Sequence, residues 1–296
     1  MPHAATIAST SPLARMAESG RLGELVAPSS PARPHLDDAA RRYARPLQVQ
    51  ICGRPGTGRD TLARALHERL SVTAIGPGET SAVEVADADL WIEVLTGPPR
   101  RADHEHLSGL PPDRTIVVLG KSDTHADPEA VAQVCAAQTG VSVYPVSGLL
   151  ACADLGADEF DYLRRLAAAG ETMPPMAGQF LVGTVLGCPE PPGVGPFLGD
   201  ERSLRADLLR RVDRYGIETA LALIISESRG AVDVRSLNVE LRRHSGIGRL
   251  FAPISERVET VRFWRLVELR ARLEIIAAAG VDRDAVEHLL QNEADR

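Results

Sequence analysis

Residues 53 to 61 read Gly53-Arg54-Pro55-Gly56-Thr57-Gly58-Arg59-Asp60-Thr61. Glycines at 53, 56 and 58 let several backbone N–H groups turn toward one anion. A helix beginning directly behind them adds the positive end of its dipole. The chemistry this predicts is phosphate binding. The flanks agree: "LQVQIC" (47–52) reads as a strand, and residues 58–70 as a helix with Leu62, Ala65, Leu66 and Leu70 at i, i+3, i+4 and i+8. Two positions depart from a loop that also manages Mg²⁺. Such loops carry a lysine for the outer phosphates, followed by a Ser or Thr hydroxyl for the metal. Here Arg59 keeps the charge on a planar, bulkier group. Asp60 places a carboxylate that opposes the phosphates unless a metal lies between. Thr61 offers its hydroxyl only if the register shifts by one.

Two other strand ends carry polar groups suited to holding a base. "VVLGKSD" (117–123) ends in Lys121-Ser122-Asp123, and "VYPVSGLL" (143–150) places Ser147-Gly148 after a further strand. A glycine loop, then Lys-x-Asp, then Ser-Gly, each at a strand end, resembles the translation-factor-related P-loop GTPases, whose base-recognition motif reads N/T-K-x-D. The resemblance implies that Asp123 accepts from guanine N1 and N2, that the Lys121 stem packs on the base, and that Ser147 belongs to the last base-side loop. Gly120 stands where the family has Asn or Thr. "LLRRVDRYGIETALALI", "LNVELRRHSGIGRL" and the long Arg/Glu helix after them look like the helical part of actinobacterial dynamin-like GTPases. In that group the loop usually reads G-R-x-x-x-G-K-S-T-L-x-x-A-L, and Gly53, Arg54, Gly58, Thr61, Leu62, Ala65 and Leu66 match it in register. The resemblance spans residues 45 to 280. It implies GTP or GDP as the ligand, held by Gly53, Gly56, Gly58, Arg59, Asp60, Thr61, Lys121, Asp123 and Ser147, with the role of Mg²⁺ undetermined.

The same family carries a metal-binding switch threonine and a D-x-x-G sensor between the loop's helix and the next central strand. Here only residues 71–88 lie between, with Thr73 and Thr80 as hydroxyls and no D-x-x-G. Phosphoryl transfer depends on positioning and charge neutralisation around the metal. Losing one preorganised contact of this kind costs about 2.7–4 kcal/mol of barrier. Several losses together predict a degenerate GTPase: a weak or non-hydrolysing nucleotide binder, or a regulatory or scaffold partner of another protein such as a paralogous GTPase. The alternative is an active, atypical NTPase using Arg59 and Asp60 in altered roles. A third reading, an ATP-using kinase-like protein, is countered by Lys121 and Asp123. No catalytic residue and no metal ligand is assigned. His104 and His106, at i and i+2, have no third ligand nearby in sequence and read as solvated loop histidines.

These residues need a scaffold, and the chain supplies one. Apolar runs at 47–52, 81–86, 89–95, 114–120 and 141–147 alternate with helical patterns at 58–70, 128–138 and 158–169. Continuous apolar strands separated by helices predict an α/β fold with a mainly parallel sheet, helices on both faces and a ligand at the carboxyl ends of the strands. The expected organisation is a flexible arm at 1–45 with a short helix near "LDDAARRYA", a GTPase-like domain at 46–170, a Pro/Gly-rich linker at 171–200 and a helical region at 201–296. That last region has apolar stripes over 204–228, 234–246 and 254–280.

The net charge of -7 and pI near 5.7 disfavour nucleic acid as a partner. Cys52, Cys135, Cys152 and Cys188 are scattered without a CxxC pair and read as free thiols. With no apolar run of about 18 residues and no signal-peptide pattern, a cytoplasmic location is expected. No hydrophobic loop supports peripheral membrane contact.

Overall fold

The computed structural model describes residues 11–72, 74–75, 88–182, 198–226 and 233–294. Helices α1 (Pro12–Glu18) and α2 (Arg33–Ala44) precede β1 (Val49–Gly53). Then follow α3 (Arg59–Leu70), the two-residue β2 (Ala74–Ile75), β3 (Leu90–Leu95), α4 (Arg101–Ser108), β4 (Thr115–Gly120), α5 (Pro128–Thr139), β5 (Val143–Val146) and the single turn α6 (Gly148–Ala151). The rest is helical: α7 (Ala157–Ala168), α8 (Ala177–Val182), α9 (Leu198–Ser226), α10 (Val234–His244), α11 (Phe251–Ala278) and α12 (Arg283–Ala294).

The strands form one all-parallel sheet in the order β2-β1-β3-β4-β5, four full strands with β2 as a short edge. Side-chain alternation sends Val49 and Ile51, Ile92 and Val94, and Ile116 and Val118 to one face. There they meet Leu62, Ala65 and Leu66 of α3 and Ile254 of α11. Leu95, Val117 and Leu119 point the other way, onto Ala132 and Cys135 of α5. The expected α/β sheet covered on both faces and followed by helices is therefore present.

Across its described residues, 11–45, the expected flexible arm is instead largely helical and packed. Residues 12–18 and 33–44 are helical, with Ser11 capping α1 by accepting the Ala14 N–H at 3.0 Å. Leu13, Leu22 and Leu36 are fully buried against Leu269 and Leu273 of α11 and Val286 of α12. Each such leucine stabilises by about 1.5–3 kcal/mol relative to exposure, enough to hold helices too short to persist alone. The anticipated helix near residue 36 is thus one of two, and both dock. Arg265 of α11 ties this module to the sheet. Its guanidinium donates to the carbonyls of Tyr43, Arg45 and Pro46 and to both oxygens of Asp89 just before β3, at 3.1 and 2.6 Å. Asp89 also accepts the Gln48 N–H at 2.9 Å.

The anticipated strand at 81–86 lies outside the described residues, as do Thr73, Thr80, Cys188 and positions 183–197 of the expected linker. At 177–182 the linker is helical. His104 and His106 sit on α4, not in a loop.

Candidate functional site

The glycine loop leaves β1 through backbone that side chains rarely adopt: φ is +130° at Gly53, +81° at Gly56 and +92° at Gly58. A Cβ on Gly53 would stand 2.6 Å from the Val94 carbonyl oxygen, so β3 itself demands glycine there. Thr57, buried inside the loop, donates its hydroxyl to the Arg54 carbonyl at 2.9 Å. Gly58 is the residue from which α3 starts.

A cavity of about 230 Å³ opens at the carboxyl ends of β1, β4 and β5, walled by Gly58, Thr61, Lys121, Asp123, Leu149 and Asp213. Lys121 takes a left-handed conformation (φ 54°). Its stem crosses the loop, with Cε 3.8 Å from where a Gly58 Cβ would be. Four of the nine residues expected to form the site therefore share one cavity wall: Gly58, Thr61, Lys121 and Asp123.

The other five do not line it. Gly53 and Gly56 shape the loop behind. Ser147 is buried beside the cavity but occupied. Its hydroxyl caps α6 by accepting the Leu150 N–H at 3.2 Å, and its own N–H donates to the Ser245 carbonyl at 2.8 Å. Asp60 is exposed on the first turn of α3. Arg59 projects its field toward Cys52 and Glu93, where it favours both ionised forms. Gly120 explains itself sterically. A Cβ there would lie 2.7 Å from Val94 Cγ1 and 3.1 Å from the Thr57 carbonyl oxygen, so an Asn has no room.

Asp213 was not anticipated. It interrupts α9 at φ 55°, ψ -175°, and brings the helical region to the cavity rim. The sequence signal was Gly216 inside an apolar stripe. A Cβ at that position would strike Val212 Cβ at 2.6 Å and Leu150 Cδ2 at 2.8 Å, so the helix approaches α6 only with glycine there.

A second polar cluster lies on the sheet's other face. Cys52 and Glu93 are direct partners in the β1–β3 ladder. His106 of α4 places Nδ1 2.8 Å from Glu93 Oε2. Asp103, also on α4 and buried, accepts from Arg54 Nε at 2.9 Å and from the Arg100 N–H at 2.7 Å, which fixes the start of the helix. Burial raises the Glu93 carboxyl above its ordinary pKa. His106 and Arg59 pull it down, Asp103 pushes it further up, and burial wins. The Cys52 thiol is pushed up to about 12, first by burial and then by Glu93, against the opposing charge of Arg59. A thiol so protonated is a poor nucleophile. Sequence reading missed this convergence, which needs strand register and a helix crossing to form. The available signal was a glutamate in the middle of "LWIEVL".

The chain matches no protein-family model and no curated protein. Among the described residues, no helix is long and apolar enough to cross a membrane.

Proposed function

We propose that this chain is a degenerate, GTPase-like regulatory module that holds a guanine nucleotide weakly, hydrolyses it negligibly and acts through another protein. The observation that carries this reading is the meeting of two distant motifs at one cavity: Gly58 and Thr61 behind the glycine loop, Lys121 and Asp123 after β4. Weak binding is supported by the cavity's volume, about 230 Å³, against the roughly 300–1,000 Å³ of ordinary ligand pockets. Negligible hydrolysis is supported by Arg59 and Asp60 lying off the cavity wall. A role through a partner is supported by the exposed apolar side chains of Phe251, Val267 and Ile275 along α11. The dynamin-like resemblance of the helical region belongs to this reading as well.

The test is a titration with fluorescent guanine and adenine nucleotides, with and without Mg²⁺. Guanine should be preferred, and Asp123→Ala should weaken binding at least about tenfold, or 1.4 kcal/mol. Equal binding of both bases, indifferent to Asp123→Ala, would overturn the guanine assignment. GTP turnover of about 1 s⁻¹ or more, abolished by Arg59→Ala, would overturn the non-hydrolysing reading in favour of an atypical active NTPase.

A further inference from the structure

We propose that Cys52, Glu93 and His106 form a binding site for a divalent transition metal of the zinc type, separate from the strand-end cavity. One sulfur, one carboxylate oxygen and one imidazole nitrogen, all within 4.8 Å of one another, converge here. These are the three donor types that zinc takes from proteins. With bonds of about 2.0–2.3 Å in tetrahedral geometry, donors sit about 3.5 Å apart. Closing from the observed spacing is within reach of side-chain rotation, because the backbone already holds the donors together. Cys52 and Glu93 are locked by strand register. His106 rides on a helix whose first turn Asp103 pins through Arg100 and Arg54.

Charge balance favours the same occupant. A divalent ion with one thiolate, one carboxylate and a neutral imidazole sums to zero, the condition a buried site needs. On binding, the Cys52 S–H proton leaves to solvent and the sulfur lone pair forms the metal bond. Glu93 exchanges its hydrogen bond with His106 for a metal–oxygen bond, the Nδ1 proton that made that bond passes to solvent while Nε2 carries the ring N–H, and the freed Nδ1 lone pair becomes the third ligand. Three protein ligands leave a fourth position for water, reached from the side where His106 is half exposed. Asp103 stays with Arg54. Arg59, whose charge acts on both Cys52 and Glu93, opposes a cation there and limits the affinity. An ion pair between His106 and Glu93 would explain the burial of Glu93 without a metal, but it gives no part to the cysteine beside it.

The experiment is titration of chelator-treated full-length protein with Co²⁺, followed by displacement with Zn²⁺. One equivalent should produce thiolate-to-cobalt charge-transfer absorption in the near ultraviolet and tetrahedral bands in the visible. Cys52→Ser should abolish the charge-transfer band. His106→Gln should weaken binding at least tenfold. Cys152→Ser should change neither. No band at one equivalent, or a band that survives Cys52→Ser, would overturn the proposal. Should Cys52→Ser fail to fold, His106→Gln decides at a half-exposed helical position: unchanged Co²⁺ affinity there also overturns it.

Discussion

Asp89, just before β3, and Glu93, in the middle of it, stand four residues apart and almost equally buried, at 4% and 1% exposure. Their carboxyl groups are shifted in opposite directions. Burial raises both. At Asp89 it is outweighed by hydrogen bonds from Arg265 and the Gln48 amide and by the charges of Arg265 and Arg45. At Glu93 the opposing partners are the half-exposed His106 and the charge of Arg59, and burial prevails. The difference is the permanence of the partner. A guanidinium that donates to both carboxylate oxygens stays charged at every physiological pH, so the entering end of the strand is architecture. A half-exposed imidazole leaves Glu93 in the strand's middle under-compensated, which is the usual mark of a site.

The largest expected effect breaks the architectural end. Arg265→Ala leaves Asp89 buried and short of its main partner, a loss of about 3–5 kcal/mol in urea unfolding. Asp89 is held below its ordinary pKa, so its contribution is present above that value and disappears as pH falls through the folded one. The variant should lose that acid dependence together with the stability. A cost under 1 kcal/mol would end the distinction between the two carboxylates.

Next comes Gly120→Asn, which completes on paper the N-K-x-D motif that the sequence resembles. Its Cβ meets Val94 and the Thr57 carbonyl, so we expect a loss of about 1–3 kcal/mol and no gain in guanine affinity. Improved nucleotide binding would show that the cavity gives way more easily than its contacts imply.

Glu93→Gln tests the other carboxylate. Glu93 is raised, so its contribution is full below the ordinary glutamate pKa and is lost as pH rises through the folded value. Removing the charge should flatten that decline and change stability near neutral pH by only about 1 kcal/mol. An unchanged pH profile would contradict the raised pKa. Asp60→Ser, exposed and off the cavity wall, should stay within about 0.5 kcal/mol by the same measurement, with nucleotide affinity unmoved.

The sheet was legible because "LQVQIC", "DLWIEVL", "RTIVVLG" and "VSVYPVS" are continuous apolar runs, and buried parallel strands have no other signature. The loop was legible because three left-handed turns require three glycines. Of the docked N-terminal helices, α2 was legible near "LDDAARRYA" and α1 was not. Their Ala-rich faces carry few large apolar residues, and their stability comes from Leu269 and Leu273, more than two hundred residues away. At the candidate site, Lys121 and Asp123 were readable as a motif, but the groups on which the Arg59 charge acts were not. Those groups, Cys52 and Glu93, face each other across the ladder, and local spacing is silent about register.

The Arg265 clamp also sets an order of assembly. Arg265 grips the Pro46 carbonyl across 219 positions of chain. At about 5–20 residues per second of synthesis, roughly 10–45 s pass between the appearance of the approach to β1 and the arrival of the side chain that secures it. During that interval Leu13, Leu22 and Leu36 have no α11 to cover them. The docking of α1 and α2 thus waits on a helix that is made long after them.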